Sequence, residues 1–585
     1  MISFYINNIE IILPEDFSVT LIEENPLVTR KGDFSLDVET SLLEPRNAKA
    51  FKHINRINKS SIEKTGDCKM LVNHEFIYGK YSVLSYTDKS VKWQFIAGNS
   101  YLNFLAKDDQ KIWELDFGTE SAVDFAKALL SIQNPGYSST NHFVCAPVKS
   151  GGIVLNNYTF NTSFDPVITY TGVNNITIQP YLLYYVNKLP ELIGYTMKEN
   201  VLNSDDRAKY MFIVNTVNSL NYSDYLPDLT ITEFIESIES FFNVSFVLDP
   251  RNKEVSIINT NINIRSLAVE KLTNILDNYN SEFENEDINS SLFCSKISYA
   301  HLSGSQFMKY NRIDDSVLVK LEKKEFDTLA LILSYISADL DNLYSKPILY
   351  IDKSTGNHYM FHNATSFQFP YVAAYSGDRY VRKVNKFRDV DINNFGFDTL
   401  NLLISPANID IISVVIKYTR DSANYTDTLL IQIAGASNSN FIDETKQFAE
   451  LVENGAPEVP RLGYIEAAFF RGQISIPNAG ILFIYPVVWL DSSADAINQQ
   501  NLTLPYPKCS FRIHGVNGIL SEYYGNQISI DNNQIFIFKL SDDDKKMPVN
   551  KIYEYNNQTY LPIRFEHIVT HDSIKTIGYF YRVEL

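Results

Sequence analysis

Two histidine pairs, His358/His362 and His567/His571, stand four residues apart, the spacing that on a helix lets two imidazoles share a metal ion. Both pairs lie in β-patterned sequence, where positions i and i+4 share a strand face but stand about 13 Å apart. They therefore read as ordinary strand histidines. Asp314/Asp315 and Asp542-Asp543-Asp544 are adjacent carboxylates. Glycoside hydrolysis needs two carboxylates roughly 5–10 Å apart across a cleft, and adjacency in sequence does not make a cleft; Asp542 to Lys546 reads as a solvated loop. Trp93, Trp113 and Trp489 are few for a sugar-stacking platform, and two of them sit in apolar, strand-like runs that read as core. Cys68, Cys145, Cys294 and Cys509 are far apart and form no CxxC pair, so they describe neither a disulfide framework nor a zinc site. Buried thiols in a reducing compartment are the expectation. The phosphate loop GxxxxGKS/T, the dinucleotide turn GxGxxG, the nucleophile elbow GxSxG and HExxH do not occur. The reading assigns no catalytic residue, no cofactor and no metal ligand: the chain is expected not to be an enzyme.

Charge excludes more. The net charge of −18 argues against a nucleic-acid-binding face, which must displace counterions from phosphate, and against an anionic membrane surface. A solvated acidic surface is the plain interpretation. The N-terminus, MISFYINNIEIIL, lacks the basic region and small-residue cleavage site of a signal peptide, and no run reaches the roughly 18 apolar residues of a membrane span. A chain of 585 residues suggests about four domains.

The elements that would carry any site are mostly strands. Tyr and Phe number 37 each, and aromatics favour strands. Residues 1 to about 110 alternate as short strands, with a turn at Asn7-Asn8 and about one helical turn at Pro45 to Ile54. A helix capped by Ser121 runs to Asn134, residues 150 to 200 return to strands, and further helices are expected at Ser266 to Tyr279, Asp327 to Leu343 and Asp443 to Val452. The clearest unit is Leu229 to Ile258. Thr230 and Glu233 make a capping box, and Ile231, Phe234, Ile235, Ile238, Phe241 and Phe242 mark one apolar helix face. Val244, Phe246 and Leu248 then alternate, Asp249 to Asn252 turns, and Val255 and Ile257 alternate back. The fold class is mainly β with α+β insertions, in several domains.

The N-terminal order is more specific than its composition. An alternating strand leads to Pro45, then Asn47, Phe51 and Ile54-Asn55-Arg56, and a strand pair ends at Gly98-Asn99-Ser100. This pattern resembles the first domain of phage tail hub proteins, particularly those of phages and prophages of Bacteroidetes. The helix-hairpin at 229–258 looks like that group's middle region, and the tail KIYEYNNQTYLPIRFEHIVTHDSIKTIGYFYRVEL is similar to its C-terminal end. The resemblance covers about 100 residues at the N-terminus, 30 in the middle and 35 at the end; residues 345–545 match nothing. It implies a β-barrel hub domain with trailing helix at 1–140, an α+β domain at 141–290, a second barrel at 291–400 and a β-rich C-terminal domain at 401–585. It also implies a homotrimeric ring that joins the tail tube or distal tail proteins to fibre or tip proteins. Genomic DNA would pass through the lumen without specific binding, which an acidic lining would favour because like charges repel within a Debye length of about 8 Å. Such a protein is made in the host bacterial cytoplasm and resides in the virion tail. Two other classes compete: a β-rich surface glycan-binding or adhesin-like protein, and a tail-associated cell-wall or polysaccharide hydrolase with carboxylates in 345–545.

Overall fold

The computed structural model describes residues 2–584 except 101–109, 162–165, 168–175, 283–296, 300–321, 339–347, 364–372, 385–399, 438–460, 490–508, 541–546 and scattered shorter breaks. The chain is mainly β, in several sheets, with helices packed among them. Its N-terminal strands are β1 (Ile2–Ile6), β2 (Ile9–Glu10) and β3 (Ser18–Glu24). After a one-turn helix α1 (Pro26–Thr29) come β4 (Phe34–Ser35) and β5 (Val38–Ser41). Helix α2 (Pro45–Ala50) precedes β6 (Thr65–Val72), β7 (Glu75–Tyr86) and β8 (Ser90–Ala97). Asn7 and Asn8 both take left-handed backbone (φ 50° and 62°), which a tight primed turn between β1 and β2 requires and asparagine tolerates. The alternation of Ile2, Phe4 and Ile6, and of Val91, Trp93 and Phe95, buries one face of these strands against α2 and its Phe51 and Ile54.

This sheet does not end with the N-terminal segment. β3 pairs antiparallel with Gln558–Thr570 from Ser18/Thr570 to Glu24/Arg564. Beyond it lie Ile574–Glu584, Ser529–Leu540 and Asn280–Glu282, so the two ends of the chain share one 14-stranded sheet. Strand pairing thus crosses the segment boundaries drawn at residues 140 and 401. The Asn25 side chain reinforces the join, donating to the carbonyls of Val549 (3.1 Å) and Pro562 (3.0 Å).

The largest core lies in the middle of the chain. There the helices Phe125–Gln133, Leu182–Leu192 and Ile231–Phe242 pack with strands such as Met211–Ile213 and Ile465–Asn478. Residues 322–384 supply a five-stranded sheet, and Leu329–Ala338 falls within the helix expected there.

Several local expectations change. Asp124, not Ser121, caps the helix that ends at Gln133, because its carboxylate reaches the Lys127 N–H at 2.8 Å. The helix expected at 266–279 is replaced by a shorter one, Thr260–Ser266, and by strand Val269–Lys271 beside Ile552–Tyr555. A strand whose paired residues lie 283 positions further along, Val269 opposite Ile552, offers backbone partners that local periodicity cannot reveal. Leu182–Leu192, expected as strand, is a helix. The helix expected at 443–452 lies outside the described residues.

Candidate functional site

His358 and His362 lie on one strand, opposite Val384 and Tyr380, which is the extended geometry expected of them. His567 is buried on Gln558–Thr570, its Nδ1 2.9 Å from Thr576 Oγ1 and its Nε2 3.6 Å from Glu23 Oε2. His571, Asp314, Asp315, Asp542, Asp543, Asp544 and Cys294 lie outside the described residues. Cys68, Cys145 and Cys509 are buried and form no disulfide, and burial pushes the Cys145 thiol up to about 12. Trp93 is buried and donates to Thr40 Oγ1 (2.9 Å), and Trp113 lies under the Arg461 guanidinium at 4.5 Å. Among the described residues, no three His, Cys, Asp or Glu side chains converge as metal ligands.

What the fold does bring together is a clasp at the C-terminal end of the Ile231–Phe242 helix. Thr230 Oγ1 accepts from the Glu233 N–H and the Glu233 carboxylate accepts from the Thr230 N–H, so the capping box forms. The helix buries its apolar face and stops at Asn243, whose left-handed backbone (φ 49°) turns the chain into Val244–Asp249. Glu239 falls on the buried side. One of its oxygens accepts from the Phe246 N–H at 2.8 Å, and the other lies 2.9 Å from Arg30 Nε, off the N–H axis, as an ion pair rather than an aligned hydrogen bond.

Arg30 arrives from the N-terminal sheet. It sits just after α1 with φ 60°, and its Nη2 also donates to Ser240 Oγ (3.2 Å). Asn99 grips the neighbouring hairpin from the same side. Its Oδ1 accepts from the Leu248 N–H (2.9 Å) and its Nδ2 donates to the Phe246 carbonyl (2.5 Å). Gly32 lets these segments meet: a Cβ there would stand 2.6 Å from the Asn99 backbone nitrogen. The Gly32 N–H donates to Ser100 Oγ at 3.0 Å. On the far side, Asn243 Nδ2 donates to the Tyr523 carbonyl (2.7 Å), and the Tyr524 hydroxyl donates to the Ser240 carbonyl. Tyr523 in turn donates to the Asp205 carboxylate (3.0 and 3.1 Å), with the Arg207 guanidinium 5.0 Å over its ring. Burial raises the Glu239 carboxyl to about 7, although Arg30 and the Phe246 N–H pull the other way.

A second carboxylate cluster behaves oppositely. Glu120 accepts from Lys127 Nζ (2.6 Å), the Tyr222 hydroxyl (2.6 Å) and the Ser121 N–H (2.9 Å). Burial would raise its carboxyl, but these donors outweigh burial and hold it down at about 2. A small recess, open to solvent, lies nearby, lined in part by Asn215, Tyr225, Arg461 and Glu466. Its charged groups work within the fold. Arg461 donates to the carbonyls of Ser223 (3.0 Å) and Leu226 (2.9 Å), and Glu466 accepts from the Ser437 N–H (2.9 Å) and hydroxyl (2.8 Å). Sequence reasoning missed Arg30, Glu239 and Tyr523, and it singled out Asn99 only as part of the Gly98-Asn99-Ser100 turn, not as a clasp residue. Glu239 alone left a signal: it is four residues after Ile235 and three before Phe242, so it falls on the apolar face.

Comparison with known proteins adds little. No protein-family model matches the chain, and no curated protein matches it. Among solved structures, the prophage MuSo2 43 kDa tail protein from Shewanella oneidensis aligns over 99% of this chain and 95% of its own, at 7% identity and a TM-score of 0.29. An overlay that loose carries no argument about fold or function.

Proposed function

We propose that this chain is a structural protein of a phage tail. More finely, it is a hub at the tail tip or baseplate that joins the tail tube to the host-facing tip around the DNA ejection channel. The observation that supports this reading is where most residues of the resembled pattern sit: Pro45, Asn47, Phe51, Ile54 and Gly98 to Ser100 hold the N-terminal sheet together or seat it on the middle of the chain, whereas Arg56 is exposed. Pro45 opens α2. The buried Asn47 accepts from the Ile12 N–H (2.8 Å) and donates to the Ile12 and Ser41 carbonyls (2.9 and 3.0 Å). Phe51 packs against Tyr81 and Trp93 with ring centroids 5.5 and 5.9 Å apart. Gly98 takes a φ of 55°, and Asn99 and Ser100 enter the clasp. A pattern made of framework residues marks a shared scaffold better than one made of scattered surface positions.

The described charged clusters join segments of the chain, which suits a load-carrying body rather than a reaction centre. In this reading the chain is no enzyme and uses no cofactor. It assembles as a homotrimer, meets tail tube or distal tail proteins on one side and fibre or tip proteins on the other, and passes genomic DNA without binding it specifically. The test is to purify tails from an induced lysate and from the same phage with this gene deleted. The protein is expected in intact tails, and the deletion is expected to give tails lacking the tip. A chain abundant in the lysate but absent from tails would sink the reading, and clearing of peptidoglycan or polysaccharide by the purified chain would favour the hydrolase class.

A further inference from the structure

Around the turn between β7 and β8 the surface departs from the rest of the chain in two ways. Three hydrogen bonds gather residues 42–58, 62–64 and 83–92 there. The Lys89 carbonyl accepts from the Leu42 N–H (2.7 Å), the Asp88 carbonyl from Asn55 Nδ2 (3.0 Å), and the Lys64 carbonyl from the Val83 N–H (2.7 Å). First, this end of the N-terminal sheet exposes Leu43, Ile57, Ile62, Leu84 and Tyr86, with Ile57 fully in solvent. Leu84 is the extra residue of a β-bulge: Val83 pairs with Trp93 and Ser85 with Lys92, so the ladder skips Leu84, whose side chain is exposed. Second, the sign of charge reverses. The described residues of these segments hold Lys49, Lys52, Lys64, Lys89, Lys92, Arg46 and Arg56 against Glu44, Glu63 and Asp88, in a chain whose net charge is −18. Of these cations, Arg46 pairs with Glu10 and Lys52 with Glu63.

We infer that this end of the N-terminal sheet docks on an anionic lipid surface. Ile57 and its aliphatic neighbours enter the boundary between headgroups and acyl chains, and the surrounding lysines meet the headgroup charge. The composition separates this occupant from others. Protein interfaces anchor on aromatic residues and arginine and are depleted in lysine, whereas this surface is mostly aliphatic and its cations are mostly lysine. A nucleic acid would use the cations but gain nothing from exposed Leu and Ile, which neither stack on bases nor hydrogen-bond to them. An interfacial membrane contact uses both features, because apolar area and electrostatic attraction add. The acidity of the whole chain does not oppose it, since charges farther than a Debye length of about 8 Å are screened. The inference goes beyond the tail reading and does not need it.

The experiment is cosedimentation of the full chain with vesicles of phosphatidylcholine alone and of phosphatidylcholine mixed with phosphatidylglycerol. Binding is expected to the mixed vesicles only, and to weaken as salt rises. Ile57→Asp combined with Leu84→Asp is expected to lower it by at least about tenfold. The unfolding transition should stay in place, because both side chains are exposed. Ile262→Asp, at another exposed apolar residue, on Thr260–Ser266, is expected to leave binding unchanged. No binding to anionic vesicles at low salt, or equal loss in Ile262→Asp, would overturn the inference. So would a solution mass that rises with concentration and drops in the double variant without vesicle binding, which would assign the surface to contact between copies.

Discussion

Glu239 and Glu120 are both carboxylates held between a cation and a second donor, yet the fold moves them in opposite directions, to about 7 and about 2. The difference lies in what burial leaves for each to bond. Glu239 is 3% exposed and has one backbone N–H plus a guanidinium that approaches off axis. Glu120 keeps more contact with water and has three donors within 2.9 Å. Desolvation wins at the first and hydrogen bonding at the second. A buried ion pair is therefore not a uniform source of stability: the clasp is held by Arg30 only as far as Arg30 offsets the cost of burying Glu239.

The largest effect that would test this contrast comes from removing the cation at the clasp. Arg30→Ala leaves Glu239 buried without its counter-charge, and the expected loss above pH 7 is about 3–5 kcal/mol in chemical unfolding. Adding Glu239→Gln to the same chain is expected to restore most of it, because a neutral amide still accepts from the Phe246 N–H and needs no counter-charge. If the double variant is as unstable as Arg30→Ala alone, the loss came from packing, and the electrostatic account of the clasp fails.

Titration separates the two carboxylates by sign. For Glu239 the folded value lies above the ordinary 4.5, so the folded chain takes up a proton between pH 7 and pH 4.5 that the unfolded chain does not. Stability from this group therefore rises as pH falls through 7, by about 3 kcal/mol in all. For Glu120 the folded value lies below 4.5, so its contribution is full above that value and is lost as pH falls toward 2. Solvent screening keeps that loss to about 1 kcal/mol. Stability measured against pH should lose its rise between 7 and 4.5 in Glu239→Gln and soften its fall below 4.5 in Glu120→Gln. Identical profiles for the two variants would remove the contrast.

Asn99→Ala tests the same joint without charge. It strips the Leu248 N–H and the Phe246 carbonyl of their side-chain partner inside a buried contact, at an expected cost of about 2 kcal/mol. Unlike Arg30→Ala, this loss is expected to be the same at pH 6 and pH 8. A strongly pH-dependent loss would mean that Asn99 acts through Glu239 instead.

These residues also mark where the sequence is legible. Local devices read correctly: the Asn7-Asn8 turn, the Thr230–Glu233 box, and the hairpin from Val244 to Asn259 each depend on residues within a few positions. Long-range ones did not. Arg30 meets Ser240 across 210 positions and Asn99 meets Phe246 across 147; nothing near Arg30 distinguishes it from a surface residue, and the Gly98-Asn99-Ser100 turn does not reveal which distant hairpin Asn99 grips. β3 and the strand Gln558–Thr570 both read as strands, but their pairing is set by the whole fold. The helix Leu182–Leu192 carried the right period in Leu182, Tyr185, Val186 and Leu189, which are all buried. Pro190, its Tyr pair and the surrounding short strands favoured the wrong reading. The clasp was half legible for the same reason: the helix that presents Glu239 was foreseeable, and the sheet that presents Arg30 to it was not.

The smallest effect belongs to the most legible feature. Thr230→Ala removes the acceptor for the Glu233 N–H, and a lost cap costs about 1 kcal/mol. The cap is at the opposite end of the Ile231–Phe242 helix from Glu239, with no shared partner between them, so its cost should add to that of Arg30→Ala within a few tenths of a kcal/mol. Hydrogen exchange can place both losses, with Thr230→Ala expected to loosen the first helical turn and Arg30→Ala to loosen Phe246 and Leu248 in the hairpin. If Thr230→Ala loosens the hairpin amides as strongly, the helix transmits strain along its length and the clasp is not a local joint. Independent losses would mean instead that the helix is a stiff strut, formed by its own sequence at one end and gripped by distant segments at the other.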